Sequence, residues 1–197
     1  MDSVRYAIAL VLIVVVPPSL LFWFLVHPFV RFWRRLSLVW TYVLVSLPLV
    51  GLGVGIFRGR ELLLGIEFGT RIPPVALGIA CLAMAGWLRA LLHRSFTNAH
   101  ISGVPELAPD RHPTELVTEG LFAHVRHPRY AQLTLALLGW ALLANYLAGY
   151  ALFVLWLPTL PAIVTLEERE LRDRFGRAHE DYCRRVPRFV PRWRRES

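Results

Sequence analysis

A chain of 197 residues that is 55% hydrophobic and only 18% charged, with a mean hydropathy of +0.46, excludes an ordinary soluble domain and fits a polytopic membrane protein. The formal charge is +8, and every basic residue is arginine, since the chain holds no lysine. These arginines crowd the ends of apolar runs, where they hold helix ends at a membrane surface, so the charge predicts contact with membrane lipids and no nucleic-acid partner.

A spanning helix needs about 20 mostly apolar residues. Residues 6–26 meet this without a charge, with Pro17 and Pro18 expected to kink the helix. A short basic loop, 27–35, carries Arg31, Arg34 and Arg35. A second span covers 36–57, a polar loop covers 58–71, and a third span covers 72–92 with Arg89 near enough to its end to snorkel. Cys81 lies inside that span as a packing residue, and with Cys183 it gives no disulfide framework.

Residues 93–129 form a polar stretch too long for a turn, and its own apolar residues (Leu107, Leu116, Val117, Leu121, Phe122) predict an ordered, functional segment. Residues 131–166 then run without a charge. At 1.5 Å per residue a straight helix of that length would reach roughly 50 Å, well beyond one bilayer core. The run must turn, and Asn145 to Gly149 supply the corner, with Tyr146 and Tyr150 suited to an interface. Pro158 and Pro161 are expected to bend the returning helix. Beyond Glu167 comes a charged amphipathic tail: Leu171 and Phe175 continue a helical stripe, Gly176 breaks or caps it, and 186–191 is extended.

The expected fold is all-α: about five transmembrane helices, a C-terminal helical hairpin and a cytoplasmic amphipathic tail. Residues 1–92 supply the N-terminal spans, and 93–197 supply the loop, hairpin and tail of one integrated membrane domain. Arginine placement puts the tail, the 93–129 segment and the 27–35 loop in the cytoplasm, and the N-terminus and the 58–71 loop outside.

An antiparallel hairpin brings its entrance, Arg126-His127-Pro128-Arg129-Tyr130, to the same face as its exit, Glu167-Glu168. A histidine, two arginines and a tyrosine thus meet two carboxylates at helix ends. That is a candidate site for a charged, nucleotide-like ligand, although the same groups also suit simple ion pairing at a hairpin base. Pro128 forces an extended approach to the helix, exposing backbone groups near His127.

The stretch 116–122 (Leu-Val-Thr-Glu-Gly-Leu-Phe), then 125–130 (Val-Arg-His-Pro-Arg-Tyr), resembles the isoprenylcysteine carboxyl methyltransferase-like family of integral membrane enzymes. So do Glu167-Glu168-Arg169-Glu170-Leu171, Phe175-Gly176, Tyr182 and 185–191 (Arg-Val-Pro-Arg-Phe-Val-Pro). The resemblance covers about the last 80 residues, with its motifs in order across the hairpin. It implies a methyltransferase that takes S-adenosyl-L-methionine from the cytoplasm and a lipophilic small-molecule acceptor from the bilayer. The acceptor group would be a thiol, a carboxylate or an amine. It further implies cofactor contacts from Thr114, Glu115, Leu116 and Val117, from Phe122, from Arg126, His127, Pro128, Arg129 and Tyr130, and from Glu167 and Glu168. No catalytic base is assigned.

The chain departs from the family pattern at four places. Prenylcysteine enzymes of eukaryotes carry an arginine one turn before the first Glu, where this chain has Ile163. Gln132 stands where glycine is common, Phe122 where tyrosine is usual, and His179 where tyrosine is common. His124 and His127 have helical metal-ligand spacing, but Pro128 interrupts the helix that would align them, so no metal is expected. Two other readings remain: an NADPH-dependent membrane reductase of the sterol-reductase type, and a non-enzymatic membrane scaffold that keeps the fold.

Overall fold

The computed structural model describes residues 2–33, 35–93 and 116–191. Among them the regular structure is helical, with six helices of nine residues or more. These are α1 (Asp2–Val26), α2 (Leu38–Arg58), α3 (Ile72–His93), α4 (Pro128–Ala144), α5 (Leu147–Phe175) and α6 (Arg177–Arg185). The helices α1, α2, α3 and α5 are each long and apolar enough to cross a membrane. With 17 residues, α4 extends about 25 Å, near the lower limit for a span. This is an integral membrane protein, and its spans fall where the apolar runs predict them. Both α1, at Pro17 and Pro18, and α5, at Pro158 and Pro161, continue through their prolines as single helices.

Local chemistry sets the boundaries. Ser37 caps α2, its hydroxyl accepting from the backbone N–H of Trp40 at 3.4 Å. Pro128 opens α4 at the position where a missing N–H costs nothing. Asn145 ends α4 in the left-handed conformation (φ 55°, ψ 46°), and Tyr146 is already the residue before α5, so the corner is tighter than 145–149. Gly176, at φ 52°, ψ −126°, separates α5 from α6 with a backbone that favours glycine.

The core joins α1, α4 and α5 through Ala9, Leu12, Ile13, Leu137, Trp156 and Val164. Many other large apolar residues, among them Leu47, Ile72 and Val154, are exposed, as lipid-facing surfaces require. Helices α3 and α4 pack at very close range. A Cβ placed on Gly139 would stand 2.8 Å from Leu82 and 2.9 Å from the Gly78 carbonyl, so these small residues let the two backbones meet.

The corner of the hairpin is locked by a buried arginine. Arg5 donates from Nε to the Ala144 carbonyl at 3.1 Å and reaches Glu67 at 3.3 Å and Asp2 at 3.1 Å. A cation on the unsatisfied carbonyls at the end of α4 is well placed. Asn145 donates its amide to the Gly69 carbonyl and accepts from the Tyr150 hydroxyl, both at 2.7 Å. The 58–71 loop is thereby stitched to the corner, with a bridge between Glu67 and Tyr146.

Candidate active site

At the opposite end, the base of the hairpin, the two carboxylates divide. Glu168 is buried and ringed by donors. Arg126 approaches it at 2.9 Å and the His127 Nε2 at 3.1 Å. Arg188 from the tail grips both of its oxygens, donating from Nε at 3.1 Å to each. A buried carboxylate is tolerated when paired in this way. The pairing acts in return on Arg188, whose pKa rises above its ordinary value because Glu168 accepts its hydrogen bond.

Glu167 has a different environment. One oxygen accepts from the Tyr130 hydroxyl at 2.7 Å and lies 3.9 Å from the His127 Nδ1. Its side chain keeps 27% exposure, against 6% for Glu168. That difference leaves Glu167 with acceptor capacity for an incoming group, while Glu168 has little to spare.

The tail forms part of the site. The backbone N–H of Arg126 donates to the Pro187 carbonyl at 2.8 Å, and that of His127 to the Arg188 carbonyl at 3.1 Å. The extended stretch expected at 186–191 therefore pairs along the hairpin entrance, and Phe189 sets its ring 6.0 Å from that of His127. This corrects one sequence expectation: the N–H groups of Arg126 and His127, just before Pro128, are taken by the tail and are not left for a ligand. Pairing a tail residue with each N–H satisfies donors that burial would otherwise strand.

Helix α6 docks behind this layer. The Tyr182 hydroxyl donates to the Phe122 carbonyl at 2.7 Å, and burial pushes its pKa up to about 12. His179 is buried beside Cys183, and desolvation lowers its pKa against the opposing pull of Glu168. His124 is exposed whereas His127 faces Glu168, so the two rings meet different surroundings.

Next to the polar layer lies a cavity of about 900 Å³ between α1, α2, α4 and α5. Val14, Phe22, Leu49, Val54, Leu133 and Ile163 are typical of its walls. Arg129 and Tyr130 also line it, and Tyr130 is shared with the polar layer through Glu167. The Arg129 guanidinium sits 5.5 Å from the centre of the Trp23 ring. Ile163 is one helical turn from Glu167, so the wall changes from apolar to acidic within a single turn.

The structure thus brings Arg126, His127, Tyr130, Glu167 and Glu168 together. Pro128 is buried at the start of α4, and Phe122 is buried under α6. Leu116 and Val117 are half-buried. Thr114 and Glu115 lie outside the described residues, as do Asn98, His100 and His112 of the same segment.

The phospholipid methyltransferase family matches residues 74–178, just over half of the chain. The chain belongs to that family. The matched region runs from α3 through the hairpin into the start of α6, and so includes the hairpin residues of the site but not His179, Tyr182 and Cys183 of α6 or Pro187, Arg188 and Phe189 of the tail. Among curated relatives, the protein-S-isoprenylcysteine O-methyltransferase of Schizosaccharomyces pombe is 33% identical over 59% of this chain and 48% of its own. The cobalt-zinc-cadmium resistance protein CzcN of Cupriavidus metallidurans is 34% identical over 63% of this chain and 53% of its own. Protein-S-isoprenylcysteine O-methyltransferase B of Arabidopsis thaliana is 33% identical over 39% of this chain and 40% of its own. The chain thus spans about half the length, or less, of these relatives. No solved structure gives a significant match. The isoprenylcysteine methyltransferase-like resemblance read from the motifs agrees with the family match and with the two isoprenylcysteine O-methyltransferases among these relatives.

Sequence reasoning missed Arg188 as a site residue. The signal was there, an arginine between two prolines in a stretch that cannot be helical, but its partner is defined only by the fold. It also missed Trp156, which reaches from α5 to α4 by donating from Nε1 to the Thr134 hydroxyl at 2.8 Å.

Proposed function

We propose that the protein is an S-adenosyl-L-methionine-dependent methyltransferase whose cofactor binds in the polar layer at the hairpin base and whose lipophilic acceptor lies in the adjoining apolar cavity. The observation that carries this reading is the shared wall: Tyr130 lines the cavity and hydrogen-bonds Glu167 in the polar layer. A methyl donor and a membrane-soluble acceptor need two compartments of opposite polarity in contact, and these are such a pair.

The residues present fit the cofactor. The buried Arg126 Nε has no hydrogen-bond partner among the described residues, and a buried donor left alone is costly. A carboxylate or hydroxyl of the cofactor would satisfy it. Glu167 offers acceptor capacity for an ammonium or a ribose hydroxyl. When bound, the cofactor supplies an electrophilic methyl group on a sulfonium.

The chain's own part is positional. Glu168 holds Arg126, His127 and the tail in one cluster, Tyr130 orients Glu167, and Phe189 covers His127. The hydrocarbon walls exclude water from the acceptor. Proximity and a dry site supply most of the rate. The curated relatives that are O-methyltransferases support the reaction class, and the excess of arginine in the tail supports a cytoplasmic polar layer.

Calorimetric titration of the purified protein with S-adenosylhomocysteine tests the reading. Saturable binding, weakened by Glu167→Gln, is expected; absence of heat at millimolar ligand, with NADPH binding instead, would replace it with the reductase reading.

A further inference from the structure

Cys183 of α6 touches the polar layer through one atom. Arg126 donates from Nη1 to the Cys183 Sγ at 2.6 Å, and the same nitrogen stands 2.9 Å from Glu168 Oε1. The sulfur also faces His179, 3.7 Å from Nδ1 and 3.6 Å from Nε2. His179 is only 2% exposed, and neither ring nitrogen hydrogen-bonds an oxygen or a nitrogen among the described residues. The two nitrogens point away from each other, so one sulfur equidistant from both satisfies at most one of them. A deeply buried polar ring is thus left with an open nitrogen. Both side chains line a second cavity of about 390 Å³ where α5 ends and α6 follows, apart from the apolar one. Its other walls are Arg172, Glu180 and Arg184. Cys183 is half-buried, so a reagent in this cavity reaches the sulfur while Arg126 and His179 hold it.

Protein thiols become nucleophiles where a cation stands at the sulfur and an imidazole is within reach of the proton. Burial lowers the pKa of His179, so its ring is neutral and able to take that proton. The cavity admits a group the size of a small peptide, and its rim carries both signs, as a zwitterionic partner requires. Arg184 is paired with Asp181 at 2.8 Å, which leaves Arg172 and Glu180 to receive such a partner. We propose that Cys183 is a thiolation site, which exchanges with small zwitterionic disulfides built from amino acids, and that the adduct loosens Arg126 from the polar layer. In the exchange His179 takes the thiol proton and the Cys183 sulfur attacks one sulfur of the disulfide. A new sulfur–sulfur bond forms as the old one breaks, the electron pair leaves with the second sulfur, and that thiolate receives the proton from His179. Cys183 is oxidised to a mixed disulfide, and the departing half of the reagent is reduced to a thiol. The added group has no room between Sγ and the Nη1 atom, so Arg126 must give up the sulfur. The effect on a cofactor rests on the function proposed above; the thiolation itself does not.

The test exposes the full chain in phosphatidylcholine nanodiscs to glutathione disulfide and follows it by intact mass and peptide mapping. A single adduct at Cys183 is expected, removed by dithiothreitol, while Cys81, buried in α3, stays free. It should form at least about tenfold faster than on a short unstructured cysteine peptide at neutral pH. His179→Gln should slow it by about tenfold. Cystamine, which carries only positive charge, should lose most of that advantage over the peptide; an equal advantage overturns the zwitterionic partner. A rate no faster than the peptide's overturns the proposal, and this comparison decides even where His179→Gln fails to fold. A rate unchanged in a folded His179→Gln chain overturns it too. Thiolation should also weaken S-adenosylhomocysteine binding by about tenfold, reversibly with dithiothreitol, and the same treatment should leave Cys183→Ser unaffected. An adduct that leaves the affinity untouched overturns the coupling through Arg126. A wild-type chain that thiolates rapidly yet never binds S-adenosylhomocysteine overturns the methyltransferase reading and upholds the thiolation site.

Discussion

Glu168 and Arg188, twenty residues apart, meet with the guanidinium spanning both carboxylate oxygens, and this pair ties the tail to the base of the hairpin. Arg126 and His127 complete the same cluster from the hairpin entrance, so one carboxylate joins three segments of the chain. Removing its charge strands the half-buried Arg126 and releases the tail together. Glu168→Gln is expected to cost about 3 kcal/mol of stability, in the range for breaking a buried pair. Limited proteolysis should show faster cleavage after Arg184 or Arg185, and S-adenosylhomocysteine affinity should fall with it. A tail as resistant as in the wild type would count against the clasp.

Tyr130→Phe removes one hydrogen bond and leaves the ring in the cavity wall. The loss of a bond to a charged acceptor is worth about 1.5 kcal/mol, or roughly tenfold in affinity. Titration should show S-adenosylhomocysteine binding weakened by that order, with the melting temperature moved much less than in Glu168→Gln.

Gly139→Ala tests the contact between α3 and α4. The added methyl group meets Leu82 and, more seriously, the Gly78 carbonyl, which cannot move without shifting its helix. Overpacking of this kind costs about 1–3 kcal/mol and outweighs the gain in helix propensity. Thermal denaturation in detergent should show the loss. Gly51→Ala, with open space around the added atom, should show none.

His179 makes the tail sensitive to acid. Burial lowers its pKa; Arg126 and Arg172 push the same way, and Glu168 opposes them. The folded protein therefore holds a neutral ring where the unfolded chain would be protonated. Stability from this group is fully present above the unfolded value near 6.5 and is lost as pH falls towards the lowered folded value. Melting temperature should drop between pH 7.5 and pH 5.5, and His179→Gln should flatten that part of the profile. An unchanged slope in the variant would assign the acid sensitivity to other groups.

The charge-free run 131–166 was enough to demand a hairpin, because no single crossing accommodates that length. Asn145 marked the corner because asparagine tolerates the left-handed backbone found there. From those two features it followed that Arg126-His127 and Glu167-Glu168 share one face. The spans were legible for the same reason: in lipid the backbone must satisfy itself, so apolar runs of sufficient length become helices. What the sequence could not reveal was the division of labour between two adjacent glutamates. Neighbours on a helix point about 100° apart, and which one faces the tail depends on how α5 is rotated by its packing on α1 and α4. That rotation gives Glu168 to Arg126, His127 and Arg188, leaves Glu167 beside Tyr130, and sets Arg129 and Ile163 on the wall of one cavity. Tertiary structure alone makes these assignments, because each depends on side chains brought together from separate helices and the tail.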